Sequence, residues 1–149
     1  MPSSHPERLL LLTDWTPATP AVLDTIREHA ARGPIELHIV MPNPAPAEWH
    51  LLHPQQRDGV AEAERVLAEA LPRVEAAAGK AVTGTVSIRH DPMDAIEETL
   101  RDEVFDEIIL AMTGHGVSQW LHIDLPRRVA HLGLPVTTVT ADQRVAAGV

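Results

Sequence analysis

Four short segments carry the residue types that could bind or transform a ligand, and each follows an apolar or alternating run. They are Asp14-Trp15-Thr16, Pro42-Asn43, His90-Asp91-Pro92 and the segment from Thr113 to Ser118. In the last segment two glycines flank His115, and glycines let backbone N–H groups turn toward one point, as in an anion-binding nest. An ordinary tight turn uses glycines in the same way. The sequence leaves both a phosphate cradle and a simple turn open here.

The hydrophobic pattern predicts the elements that must position these segments. Apolar runs predict buried strands at 9–12 and 108–112, and weak alternation predicts a second strand at 35–41. Strict alternation predicts a strand at 81–89, and a Val- and Thr-rich run predicts a strand at 134–140. Apolar residues at helical spacing predict helices at 20–32, 58–79, 91–102 and 124–132. Asp91 is the predicted N-cap of the third helix, with Pro92 at its first position.

Strands that alternate with helices in this way predict an α/β domain with a parallel sheet and helices on both faces. In such sheets the ligand site lies beyond the carboxyl ends of the strands, where the strand order reverses. The segments that follow the strands are therefore the candidate site.

Length and composition exclude several classes of protein. The chain has 149 residues, enough for one well-buried domain, and no apolar run approaches the roughly 20 residues of a membrane helix. Twelve basic against 21 acidic residues give a net charge of −9, which disfavours nucleic acid as a partner. The absence of cysteine excludes disulfides and thiolate chemistry. The N-terminus does not resemble a secretory signal, so we expect a soluble cytoplasmic protein with neither a membrane nor a nucleic-acid partner.

Several of these segments together resemble the universal stress protein family. The family has a first strand that ends in Asp with Ser or Thr two residues on, a Gly-Asp-Pro-x-x-Ala-Ile block, a Gly-Thr-His-Gly loop and a closing Pro-Val strand. The corresponding residues here are Asp14 and Thr16, the block 90–96, the loop 113–116 and Pro135-Val136. The resemblance implies a single three-layer α/β/α domain over 8–141, with a five-stranded parallel sheet of order 3-2-1-4-5. It leaves tails at 1–7 and 142–149, and residues 141–149 are expected to be frayed.

Many members of that family bind adenine nucleotides in a crevice between the first and fourth strands, so the resemblance implies ATP or AMP as a ligand. The implied contacts, with their flanking residues, are Asp14, Trp15, Thr16, Val40, Pro42, Asp91, Met112, Thr113, Gly114, His115, Gly116, Ser118 and Asp124.

The chain departs from the family's phosphate-binding pattern, G-x-x-G-x9-G-[ST]. Thr113-Gly114 replaces Gly-Thr, the span to the last helix is shorter, and Ile123-Asp124 replaces the final Gly-Ser or Gly-Thr. We expect Asp124 to cap the last helix, where its carboxylate would repel a polyphosphate unless Arg127 or Arg128 turns inward. Weak nucleotide binding is the expectation, and a smaller or less charged ligand is the alternative.

Other residues suggest competing chemistry that the sequence supports less well. His50 and His53 have metal-ligand spacing, but Pro54 interrupts the helical turn they would need. His90, His115 and His122 could meet at the crevice, where His115 could act as a general base or simply hold the loop or contact the ligand. A receiver-like phosphorylation site at Asp14 lacks the lysine that such a site needs on the last strand.

Two further features concern surfaces rather than chemistry. The carboxylates and arginines of the helix over 58–79 alternate with apolar residues and predict a solvated face. Trp49 and Trp120 lie in predicted loops, and Trp120 could either close over the crevice or fill it.

The resemblance implies a non-catalytic regulatory or stress-response module that forms a homodimer through its last strand. The alternative is a homodimeric interaction scaffold that does not bind nucleotide. An enzyme on a related nucleotide fold is a third hypothesis, but residues 14–20 contain neither His-x-Gly-His nor Ser-Gly-Gly-x-Asp-Ser.

Overall fold

The central strand of the protein is built from four consecutive leucines, each fully buried in the computed structural model. The structure describes residues 5–14, 17–42, 59–89, 91–112, 124–140 and 144–147. The elements, in chain order, are β1 (Glu7–Thr13), α1 (Pro20–Arg32), β2 (Ile35–Met41), α2 (Gly59–Ala78), β3 (Thr83–Val86), α3 (Pro92–Asp102), β4 (Glu107–Met112), α4 (Leu125–Ala130), β5 (Val136–Thr140) and β6 (Arg144–Ala147).

Five parallel strands lie in the order β3-β2-β1-β4-β5, which confirms the predicted fold class. A sixth strand, β6, extends the sheet by pairing antiparallel with β5, where Val136 is opposite Ala147. The expectation of a frayed tail is therefore wrong at residues 144–147. The physical reason is that the outer edge of β5 would otherwise expose a row of unpaired backbone N–H and C=O groups, and residues 144–147 form hydrogen bonds with them.

Alternate leucines of β1 face opposite layers of the molecule. Leu9 and Leu11 belong to the core beneath α1 and α2, whereas Leu10 and Leu12 belong to the core on the side of α3 and α4. A strand that is covered on both faces has no polar face to alternate, so its sequence is a continuous apolar run.

β3 and α4 end earlier than predicted. β3 has four residues rather than the predicted nine, because Ser87 ends it: its Oγ accepts a hydrogen bond from the Arg89 N–H at 2.9 Å, a local turn. Ile88, which continues the predicted apolar alternation of Val82, Gly84 and Val86, is 70% exposed. α4 ends at Ala130, and the residues up to Gly133 form tighter turns, with the Gly133 N–H donating to the Ala130 carbonyl.

The predicted helix starts and the solvated face of α2 are confirmed. Asp91 caps α3 by accepting a hydrogen bond from the Met93 N–H at 2.8 Å, with proline in the first turn. On α2, Arg65 pairs with both Glu62 and Glu69. Within the described part of the chain, each helix is too short or too polar to cross a membrane.

Candidate functional site

The strand order reverses between β1 and β4, and the ends of these two strands define the candidate crevice. Thr13 is opposite Ala111 in the parallel register, so both strands end at the same edge of the sheet. Asp14 follows directly and is only 7% exposed. The Oγ1 of Thr13 donates a hydrogen bond to the Asp14 carbonyl at 3.3 Å, so the turn that carries the carboxylate is tied to the end of the strand. The structure thus holds a buried acidic residue at the predicted position.

Two other predicted contacts at this edge belong to the hydrophobic core. Val40 of β2 is opposite Leu12 of β1, and Met112 is the last residue of β4. The side chains of Val40 and Met112 are almost fully buried in the core on the side of α3 and α4. Pro42, just beyond β2, is partly exposed. A ligand in the crevice would meet the backbone of Met112 rather than its side chain.

Asp91 is partly exposed and its carboxylate is engaged with the backbone of α3, as the capping prediction required. A carboxylate in this role stabilises the first turn of the helix. Its position after β3 also keeps it at the carboxyl edge of the sheet.

The prediction that the Asp124 side chain caps the last helix is wrong. Asp124 occupies the N-cap position of α4, but its backbone is left-handed (φ 55°) and its side chain makes no capping hydrogen bond. Capping normally uses an extended backbone and the N–H groups of the second and third helical residues, and the second residue is Pro126, which has no N–H. The carboxylate instead lies 62% exposed, 4.0 Å from the Arg127 guanidinium.

The remaining predicted residues lie outside the described residues, and their roles stay predictions. They are Trp15, Thr16, Thr113, Gly114, His115, Gly116 and Ser118, together with the other candidates His50, His53, His90, His122, Trp49 and Trp120.

A shallow groove of about 260 Å³ lies next to the exit of β1. Its walls are the turn before α1, which includes Pro17 and Thr19, and the middle of α2, which includes Ala70 and Arg73. The groove therefore adjoins the turn that begins at Pro17, three residues beyond Asp14.

At the opposite edge of the sheet lies a polar cluster that sequence reasoning missed. His29 of α1 is 5% exposed, and its Nε2 lies 3.0 Å from Oε2 of Glu107 at the start of β4 and 3.7 Å from Oε1 of Glu7 at the start of β1. The same Glu107 oxygen accepts a hydrogen bond from the Thr137 hydroxyl at 3.0 Å. We call Glu7, His29 and Glu107 the basal cluster.

The protonation of the basal cluster follows from these contacts. The hydrogen bond to Glu107 raises the pKa of His29 above its ordinary value, although burial opposes the shift. Burial raises the pKa of the Glu107 carboxyl, but the hydrogen bonds from His29 and Thr137 outweigh it and the net pKa is lowered. Both shifts favour an imidazolium facing a carboxylate.

One sequence signal could have located His29. It falls on the same helical stripe as Val22, Thr25 and Ile26, all buried in α1, and a histidine on a buried stripe needs a polar partner. Nothing in the local pattern names Glu107 as that partner, since 78 residues separate the two.

Comparison with known proteins supports the fold. No family model and no curated protein sequence matches this chain. Its structure is similar to that of a universal stress protein from Archaeoglobus fulgidus, with a TM-score of 0.58 and 15% sequence identity over 89% of this chain and 93% of that one. The chain therefore has the three-layer fold of a universal stress protein.

Proposed function

We propose that this chain is a non-catalytic, cytoplasmic regulatory module of the universal stress protein type, which binds an adenine nucleotide weakly beyond the carboxyl ends of β1 and β4. The observation that carries the proposal is the burial of Asp14 at the point where β1 and β4 end side by side, with Thr13 opposite Ala111. Doubly wound sheets bind their ligands at this reversal of strand order.

Asp14 suits one part of a nucleotide in particular. An ionised carboxylate only accepts hydrogen bonds, so its partners would be donors such as ribose hydroxyls or the adenine amino group, not phosphate oxygens. Because the carboxylate is buried, a neutral donor that reaches it replaces little water. Asp14 therefore favours the nucleoside end of the ligand.

Phosphate is expected to contribute little to the affinity. The chain carries a net charge of −9, and a polyphosphate is repelled by a negative surface. The repulsion between Asp124 and a phosphate is weaker than we expected from the sequence. The carboxylate of Asp124 is exposed, so solvent screens its charge, and it lies 4.0 Å from the Arg127 guanidinium. We expect adenosine and AMP to bind about as well as ATP.

The experiment is an isothermal titration of the purified protein with ATP, AMP and adenosine, after mass spectrometry of the denatured protein for co-purified nucleotide. Asp14→Asn removes the charge at nearly constant size, and Asp24→Asn on the exposed face of α1 is the matched control. We expect saturable binding by the wild type, a loss of about tenfold or more in Asp14→Asn, and no change in Asp24→Asn. Equal affinity in wild type and Asp14→Asn would overturn the proposal, as would the absence of saturation at millimolar ligand.

The non-catalytic part of the proposal has its own test. Incubation of the protein with ATP should yield no ADP or AMP above the buffer control. Turnover that disappears in His115→Ala would instead support the third hypothesis, an enzyme on a related nucleotide fold.

We also propose a homodimer, because the regulatory-module hypothesis and the scaffold hypothesis both include one. Since β6 pairs with β5, a partner would meet the outer edge of β6 unless it displaces that strand. Sedimentation equilibrium of the full chain and of a chain ending at 143 tests this. A full chain that is monomeric at high micromolar concentration would contradict the dimer, and a dimer that persists after truncation would place its contact elsewhere.

A further inference from the structure

We propose that the basal cluster is a binding site for one divalent transition-metal ion of the zinc type. The three residues offer one imidazole nitrogen and two carboxylate oxygens within 4.8 Å of one another. They come from α1, β1 and β4, at the edge of the sheet opposite the nucleotide crevice. The site is thus independent of the proposed function.

The two distances from the His29 Nε2 are close to those that a single ion would impose. Zinc binds nitrogen and carboxylate oxygen at about 2.0–2.2 Å, so two ligand atoms on a tetrahedral ion stand about 3.3 Å apart. The His29 Nε2 lies 3.0 Å from the Glu107 oxygen and 3.7 Å from the Glu7 oxygen. The two carboxylate oxygens lie within 4.8 Å of each other, so Glu7, the more exposed of the two glutamates, would move toward Glu107 to complete the site.

Both inner ligands are already oriented by neighbouring groups. The His29 Nδ1 lies 2.9 Å from the Thr25 carbonyl, which can only accept, so Nδ1 carries a proton and Nε2 faces the carboxylates. The Thr137 hydroxyl donates to Glu107 and fixes that carboxylate. Histidine ligands of metals characteristically donate their other ring N–H to such a carbonyl or carboxylate.

Glu7 supplies the observation that favours an ion over a proton. Its Oε1 is buried and makes no hydrogen bond within the described part of the chain. The single proton on His29 Nε2 is directed at Glu107, so it cannot also serve Glu7. When a divalent ion binds, the Nε2 proton of His29 would be released to solvent. The ion would then contact both carboxylates and balance their two negative charges.

The donor set indicates which ions are suitable. One imidazole with two carboxylates suits Zn²⁺ or Co²⁺, whereas Mg²⁺ and Ca²⁺ prefer oxygen ligands alone. The side chain of Glu7 is 40% exposed, which gives an ion a path from solvent and leaves room for water as a fourth ligand. Arg32 acts by its charge on both His29 and Glu107 and should weaken cation binding, although it is exposed.

The test titrates metal-free protein with Zn²⁺ against a chromophoric chelator and with Co²⁺ by visible absorption. Glu7→Gln is the decisive variant, because the buried Oε1 of Glu7 accepts no hydrogen bond within the described part of the chain. His29→Gln is the second variant, and His131→Gln, at an exposed position beyond α4, is the control. We expect the first two to weaken binding about tenfold or more, the control to leave it unchanged, and Arg32→Gln to tighten it.

A second readout is the thermal unfolding midpoint. Zn²⁺ should raise the midpoint of the wild type and of His131→Gln but not that of Glu7→Gln, because only a ligand bound to the folded state stabilises it. Wild-type protein that binds no Zn²⁺ at micromolar concentrations would overturn the proposal. So would zinc binding that is equally tight in Glu7→Gln, since the ion would then be held by other histidines of the chain.

Discussion

Thr13 of β1 lies opposite Ala111 of β4, and this pairing brings the buried Asp14 to the edge of the sheet where both strands end. α1, which follows β1 in the chain, packs against one face of the sheet, whereas α4, which follows β4, packs against the other. The proposed nucleotide site lies beyond the ends of these two strands.

Loss of the Asp91 cap should destabilise the protein. The carboxylate accepts the Met93 N–H at the start of α3, and replacing such a cap by alanine removes about 1 kcal/mol from the free energy of unfolding. Urea denaturation should show this loss for Asp91→Ala and much less of it for Asp91→Ser, which keeps a capping oxygen. An alanine variant as stable as the wild type would contradict the role of the cap.

Replacing Asp124 by glycine should leave the free energy of unfolding unchanged or increase it. Asp124 adopts φ 55° without a side-chain cap, and glycine adopts this left-handed backbone with no Cβ penalty. We expect a gain of up to about 1 kcal/mol in the free energy of unfolding, measured by urea denaturation. A loss of that size would show that the carboxylate does stabilise α4.

Gly84 of β3 should resist substitution because of one neighbour. A Cβ at this position would lie 2.9 Å from the Leu67 Cδ2, closer than carbon atoms pack. Because the end of the Leu67 side chain can shift, Gly84→Ala should cost only about 1 kcal/mol in the free energy of unfolding. A double-mutant cycle is the measurement: in the Leu67→Ala background the same change should cost less. Strictly additive effects would contradict the clash.

The stability of the protein should fall on acidification partly because of His38. Burial lowers the pKa of His38 from its ordinary value of 6.5, with a smaller lowering from Arg8 and an opposing effect of Glu103. The unfolded chain therefore binds the proton more readily, and the free energy of unfolding decreases as the pH falls from 6.5 through the lowered pKa.

Two measurements check this pH dependence. The His38 ring should titrate below 6.5 in an NMR titration of the folded protein, and His38→Gln should reduce the slope of the free energy of unfolding over that range. A midpoint at or above 6.5 would contradict the effect of burial.

Hydrophobic periodicity predicted most of the fold because helices cover both faces of the sheet. The run Leu9–Leu12 is continuous and apolar, as a central parallel strand must be, and the α2 pattern follows directly from one buried face. Asp91 was also predictable, since capping is a local interaction between residues two apart.

The features that were missed depend on distant contacts or on backbone conformation. The contact of His29 with Glu107 spans 78 residues and exists only once α1 packs on the sheet. Asp124 has the composition of an N-cap, but its left-handed backbone directs the side chain elsewhere. The strand at 144–147 is stabilised by the free edge of β5 rather than by its own pattern.

An amide NMR titration with AMP and adenosine tests the central claim most directly. We predict saturable shifts concentrated at Thr13, Asp14, Ala111 and Met112, where β1 and β4 end, and none at the basal cluster on the opposite edge. The absence of shifts at millimolar ligand, or shifts concentrated away from the carboxyl ends of these strands, would contradict the account.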